Sequence, residues 1–127
     1  MDHAKNRLLV ADDALIMRAI IKDIATRAGW EVVGEAATGA DCVTRYRELK
    51  PDLVTLDIVM PVMDGVEALR TLRQEDPTAR VVMVSAVDQK AKLMECIQLG
   101  AIDFVAKPFD RERLRALLQK YLAAANA

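Results

Sequence analysis

Five short apolar runs alternate with five segments of helical periodicity along this chain. The first run, Arg7–Ala11, ends in Asp12-Asp13. Behind it, Met17, Ile20, Ile21, Ile24 and Ala28 share one helical face, and Gly29 supplies a stop. Glu31–Ala36 is shorter, more polar and interrupted by Gly34, the pattern of an edge strand. Gly39–Leu49 returns to helical spacing through Cys42, Val43, Tyr46 and Leu49, and Pro51 closes it. Leu53–Leu56 reads as a buried central strand with Asp57 directly behind it, followed by Pro61 and the helix-entry pair Asp64-Gly65. The third helix runs from about Gly65 to Gln74 with Leu69 and Leu72 inward, and Pro77 marks the next loop.

Arg80–Val84 is the fourth strand and ends at Ser85. Asp88 is placed to cap a fourth helix with Leu93 and Ile97 inward and Gly100 as its stop. Ala101–Ala106 is the fifth strand and runs into Lys107-Pro108. Asp110 caps a last helix whose stripe is Leu114, Leu117, Leu118, Tyr121 and Leu122, and the tail after it is expected to fray. Strands that are continuous apolar runs and alternate with helices indicate an α/β fold: a doubly wound parallel sheet covered on both faces. In such sheets ligands bind beyond the carboxyl ends of the strands, where the strand order reverses.

Composition narrows the function classes. The chain has 127 residues, enough for one domain with a real core, here spanning about residues 7–122. Its net charge of −1 gives no reason to expect a nucleic-acid or membrane surface, and no apolar run approaches a membrane span. The N-terminus lacks the apolar stretch of a secretory signal, so a cytoplasmic location is expected. Cys42 and Cys96 are isolated within helices and read as buried free thiols. His3, the single histidine, lies in a polar tail, which argues against a histidine-centred or zinc site.

The chemistry gathers at the strand ends. Strand one ends in Asp12 and Asp13, strand three in Asp57, strand four in Ser85 and strand five in Lys107, while strand two offers nothing obvious. Taken singly these are bland: Asp12-Asp13 as a helix cap, Ser85 as a loop hydroxyl, Lys107-Pro108 as a turn. Together they place three carboxylates in one crevice, where mutual repulsion raises a pKa unless a hard divalent cation such as Mg²⁺ is held. Asp57 would then attack a phosphoryl group in line, with Lys107 and the metal facing its oxygens and Ser85 donating a hydrogen bond.

The motifs LLVADDALIMR, DLVTLDIVMPVMDG, VVMVSA and GAIDFVAKPF carry a close resemblance, over essentially the whole chain, to the receiver domains of two-component response regulators. Among these it is most similar to the stand-alone chemotaxis regulators. The resemblance implies a single receiver domain over residues 1–127, with a flavodoxin-like sheet of strand order 2-1-3-4-5. It implies Asp57 as phospho-acceptor, with Asp13, Asp57 and the Val59 carbonyl as Mg²⁺ ligands and Asp12 on a metal-bound water. Ser85 and Lys107 would contact the phosphoryl group, and the Lys107–Pro108 peptide would be cis. It further implies a switch that couples Ser85 to Phe104 and remodels a partner face including Lys90, Leu93, Ala101, Phe104 and Leu117.

Implied partners are a sensor histidine kinase (CheA-like) or a small phosphodonor, a flagellar motor switch protein as output, and a phosphatase. The protein is expected to be a monomer and not an enzyme beyond its own phosphorylation and dephosphorylation. No DNA-binding or enzymatic output domain is expected after the fifth helix. Phe104 has no hydroxyl to offer a partner, and plain core packing is its alternative role. Val59 and Val87 stand where members of the family often carry polar residues, and the expectation is that they slow self-dephosphorylation. Competing readings are a phosphorelay carrier or the receiver of a larger regulator, a metal-dependent phosphatase, and a scaffold. The phosphatase reading wants a second acid two residues after the nucleophile, where Val59 stands; the scaffold leaves the acid cluster unexplained.

Overall fold

A computed structural model describes residues 6–86 and 88–123 of the protein. His3, Val87 and the last four tail residues lie outside the described residues. The order is β1 (Arg7–Ala11), α1 (Leu15–Ala28), β2 (Glu31–Ala36), α2 (Gly39–Leu49), β3 (Leu53–Asp57), α3 (Gly65–Glu75), β4 (Val81–Ala86), α4 (Lys90–Gln98), β5 (Asp103–Lys107) and α5 (Arg111–Lys120). All five strands are parallel in the order β2-β1-β3-β4-β5. Among the described residues, no helix is long and apolar enough to cross a membrane.

The sheet separates two cores. Leu9, Val54, Leu56 and Met83 face α2 and α3, meeting Cys42, Tyr46, Leu69 and Leu72. Leu8, Val10, Val82, Val84 and Val105 face α1 and α5, meeting Ile21, Ile24, Leu114 and Leu118. β3 is buried at every position, as a strand with neighbours on both edges and helices on both faces must be. Gly29 ends α1 in the left-handed conformation that its missing Cβ makes cheap, at φ 109°. Thr38, Asp64 and Asp110 cap α2, α3 and α5 through side-chain bonds to the third residue of each helix's first turn.

Several elements depart from the sequence pattern, each for a local reason. β5 begins at Asp103, because Ala101 and Ile102 still complete the turn out of α4: the Ala101 N–H bonds to the Cys96 carbonyl. β5 is also an edge strand, so Phe104 and Ala106 are exposed rather than buried. In α4, Cys96 takes the inward position and Ile97 is exposed. Asp88 does not cap this helix; Gln89 occupies the cap position, and its side-chain carbonyl accepts the Ala86 N–H at 3.0 Å. β4 extends through Ser85 to Ala86, and β3 includes Asp57 itself. Cys42 and Cys96 are buried free thiols, and burial pushes them up to about 12 and about 11.

Trp30, which shows no periodic signal, is buried beneath α5, where its indole N–H donates to the Leu118 carbonyl at 2.8 Å. Thr55, paired with Val10 and Val82 in the middle of the sheet, is the one buried side chain among the described residues whose polar atom lacks a partner. An unpaired buried hydroxyl is a net cost. Thr55→Val, which keeps the shape, is expected to raise unfolding free energy by about 1 kcal/mol, seen as a higher midpoint in urea denaturation at unchanged slope. A lower midpoint would show that the hydroxyl is bonded in solution.

Candidate functional site

The site is assembled by register. β1 and β3 pair up to Ala11 and Leu56, so Asp12 and Asp57 emerge side by side from adjacent strands. Asp57 pairs with Val84 and Ser85 with Ala106, so Ser85 stands one step further out on the next strand, and Lys107 one step beyond that on the next. Asp12, Asp57 and Ser85 are all buried, while Asp13 is exposed at the rim. Asp12, Asp13 and Asp57 each offer a carboxylate oxygen within 4.8 Å of the others.

Lys107 closes the cluster. Its Nζ lies 3.0 Å from Asp12 Oδ2 and 3.3 Å from Asp57 Oδ2. Burial works against this ammonium, but the hydrogen bond to Asp12 and the charges of Asp57 and Asp12 outweigh it and hold the pKa above the ordinary lysine value. Asp57 moves the other way for a carboxylate: burial, then the neighbouring Asp12 charge, push it up to about 6 despite Lys107. One ammonium leaves an excess of negative charge among three carboxylates. A hard divalent cation with oxygen ligands fits that excess and that donor set.

Asp12 does not serve as the cap of α1. Ala14 occupies that position without a side-chain bond, and Asp12 Oδ1 instead accepts the Ala14 N–H at 2.9 Å, which fixes the carboxylate inward. The β3–α3 loop is held close by two glycines at helix starts. A Cβ on Gly65 would lie 2.1 Å from the Asp57 carbonyl oxygen, and one on Gly39 would lie 2.0 Å from the Met63 carbonyl oxygen. Between them Val62 adopts φ 71°, with the Met63 N–H bonded to the Pro61 carbonyl, a strained turn for a β-branched residue. Val59, in the same loop, presents a half-exposed apolar side chain. The Lys107–Pro108 peptide is cis.

Phe104 is 45% exposed, which sets aside plain core packing as its role. It pairs with Met83, two residues before Ser85, so the two lie diagonally on the same sheet face. Of the candidate partner face, Lys90 is exposed and Leu93 and Leu117 are half-buried. Ala101 is a correction: it is packed in the core beside α4 and offers no surface of its own. Sequence reading also passes over Arg18 and Glu35, an ion pair between α1 and β2 whose Arg18 end reaches the Asp12 backbone.

An acid triad with two buried members and one lysine, at the carboxyl ends of a sheet ordered 2-1-3-4-5, matches one known family. Residues 8–119 fit the response regulator receiver domain. The chain belongs to this family. The receiver is 47% identical over 114 residues to the chemotaxis protein CheY of Thermotoga maritima, covering 90% of this chain and 95% of that one. It is 48% identical over 117 residues to CheY of Bacillus subtilis, covering 92% and 98%. Among solved structures, it is similar to the response regulator domain of Thermotoga maritima CheB at TM-score 0.80 and 37% identity, covering 90% of this chain and 91% of that one. A chain from the CheX–CheY–BeF₃–Mg²⁺ complex of Borrelia burgdorferi matches at TM-score 0.84 and 32% identity, covering 92% and 90%. The protein is thus a receiver of two-component signal transduction, with relatives in chemotaxis.

The elevated Asp57 pKa fixes the sign of a pH effect. With metal removed by chelator, the folded receiver holds the Asp57 proton more tightly than the unfolded chain does. That contribution to stability is full below about pH 4 and is lost as pH rises through about 6, an effect of about 3 kcal/mol. Asp57→Asn should remove this slope and be the more stable protein at pH 7 without metal. Thermal unfolding across pH 4 to about 8 checks this, and a less stable variant at neutral pH would contradict it.

Proposed function

We propose that this receiver is a phosphorylation-activated switch of chemotaxis signalling, in which Asp57 accepts a phosphoryl group from a phosphohistidine of a CheA-like sensor kinase. The observation that carries the reading is the buried carboxylate at the end of the central strand with an ammonium 3.3 Å away. An ionised Asp57 oxygen forms the new O–P bond as the N–P bond of the donor breaks, and the imidazole nitrogen keeps that electron pair and takes up a proton. Lys107 is placed to neutralise a phosphoryl oxygen, and Ser85 to donate a hydrogen bond to another.

Asp13, Asp57 and the Val59 carbonyl would hold Mg²⁺, with Asp12 bound through water. When bound, the ion supplies positive charge to the phosphoryl oxygens. The Borrelia relative in complex with BeF₃ and Mg²⁺ supports this donor set. The same relative's pairing with CheX supports a partner that acts on the phosphorylated form.

Output is by protein contact rather than by an activity of this chain. Ser85 and Phe104 share one sheet face, and Phe104 is free to turn inward when Ser85 is drawn to the phosphoryl group. The partner face would be Lys90, Leu93, Phe104 and Leu117, with a flagellar motor switch protein as the target. Val59 is an apolar group beside the acceptor, without the acid that a phosphatase active site would want there. It gives an attacking water no hydrogen-bond partner and so favours a long-lived acyl phosphate.

Intact mass after incubation with acetyl phosphate and Mg²⁺ tests the switch. A single phosphoryl adduct is expected, absent without metal and absent in Asp57→Asn. No adduct with any donor would overturn the reading. The adduct should persist for minutes or longer and shorten several-fold in Val59→Asn; decay within seconds would refute the role of Val59.

A further inference from the structure

β2 contributes no residue to the acid cluster, yet it fixes one of its members from behind. The Asp12 N–H donates to the Ala36 carbonyl of β2 at 3.0 Å. The Asp12 carbonyl accepts Nη1 of Arg18 at 2.8 Å. Nε of the same guanidinium donates to Glu35 Oε1 at 2.9 Å, and Lys22 Nζ lies 2.7 Å from the other oxygen of Glu35. The Arg18 side chain is only 14% exposed, so its end of the link is largely shielded from water, while Glu35 is open to solvent on one side. The hydrogen bond from Lys22, with the nearby charge of Arg18, outweighs burial and keeps Glu35 below the usual carboxylate range.

The consequence is that both backbone groups of Asp12 are tied to β2, one directly and one through Arg18 and Glu35. With its Oδ1 on Ala14 and its Oδ2 on Lys107, Asp12 is held at four points. We infer that Arg18 and Glu35 are positioning residues for the phosphoryl-accepting site. They set the depth at which Asp12 emerges between β2 and β3, and so how well the acid cluster accommodates a divalent cation. The inference rests on the function proposed above. The guanidinium reaches its two acceptors with two different nitrogens of one planar group, a fixed geometry that a single ammonium nitrogen does not supply. Lys22 provides the internal comparison, since it pairs with the same Glu35 but has no bond to Asp12.

The test compares Arg18→Lys, Arg18→Met, Glu35→Ala and Lys22→Met in the full chain. Mg²⁺ affinity is read by calorimetric titration, amide exchange at Asp12 and Ala14 by NMR, and stability by urea denaturation. Outer partners of metal ligands typically change affinity by about 10-fold or more. Arg18→Met and Glu35→Ala should weaken Mg²⁺ by about that factor and speed exchange at both amides. Arg18→Lys should fall with them. Lys22→Met should lose stability comparable to Glu35→Ala but keep Mg²⁺ affinity and amide protection near wild type. Losses that simply follow stability across the four variants, or wild-type behaviour in Arg18→Met, would overturn the inference. Should wild type bind no Mg²⁺ and take no phosphoryl group, the proposed function falls, while exchange at Asp12 and Ala14 still decides the positioning role.

Discussion

Everything in this structure turns on the repulsion among carboxylates gathered at the ends of β1 and β3. Two of them, Asp12 and Asp57, are nearly devoid of solvent, and a single ammonium from the far edge strand stands between them. Charges buried without partners are among the costliest features a fold can carry. Lys107 offsets part of that cost, and the site remains short of positive charge even then. Burial first, and that shortage second, raise Asp57, and the shortage suits the cluster to a cation and a transferable phosphoryl group.

The surrounding fold serves to maintain this arrangement. Parallel pairing brings four strand ends to one crevice, and the two glycines at helix starts let the β3–α3 loop lie against the backbone of β3 and α2. The loop in turn carries strain at Val62, tolerated beside the site rather than in the core. Lys107 sits on an edge strand with a neighbour on one side only, and Phe104, three residues before it, is already half out of the protein. The element that supplies the neutralising charge is thus also one of the least constrained strands of the sheet.

The architecture was legible because its signals are strong and local. Buried strands in the middle of a covered sheet must be continuous apolar runs, and Asp64 and Asp110 cap their helices through bonds that only such side chains make. The acid cluster was legible for a related reason: a carboxylate directly after an apolar strand is improbable without a partner. What escaped was decided by tertiary neighbours. Whether Cys96 or Ile97 faces inward depends on how α4 is rotated, and a helix with one buried residue gives weak phase information. Core packing and a place on the partner face were both open for Phe104 in the sequence, and only the position of β5 at the sheet edge decides for exposure. Trp30 sits next to a helix stop, outside any repeat, and only the approach of α5 explains its burial. Arg18 and Glu35 are ordinary charges in the sequence until α1 and β2 bring them together behind Asp12.

This last point bears on how a switch can be built with so few moving parts. Lys107 holds Asp12 and Asp57 at once, so a phosphoryl group arriving on Asp57 must compete with Asp12 for the same ammonium. If Asp12 were free to follow, the cluster would relax locally and nothing would reach the surface. Because the Asp12 backbone is fixed to β2 at two points, it cannot follow. In the proposed switch the adjustment would then fall on Lys107, Ser85 and the exposed Phe104. Backbone ties on the β1–β2 side, set against an exposed Phe104 on the β5 edge, would give the charge imbalance at Asp57 a preferred direction in which to act.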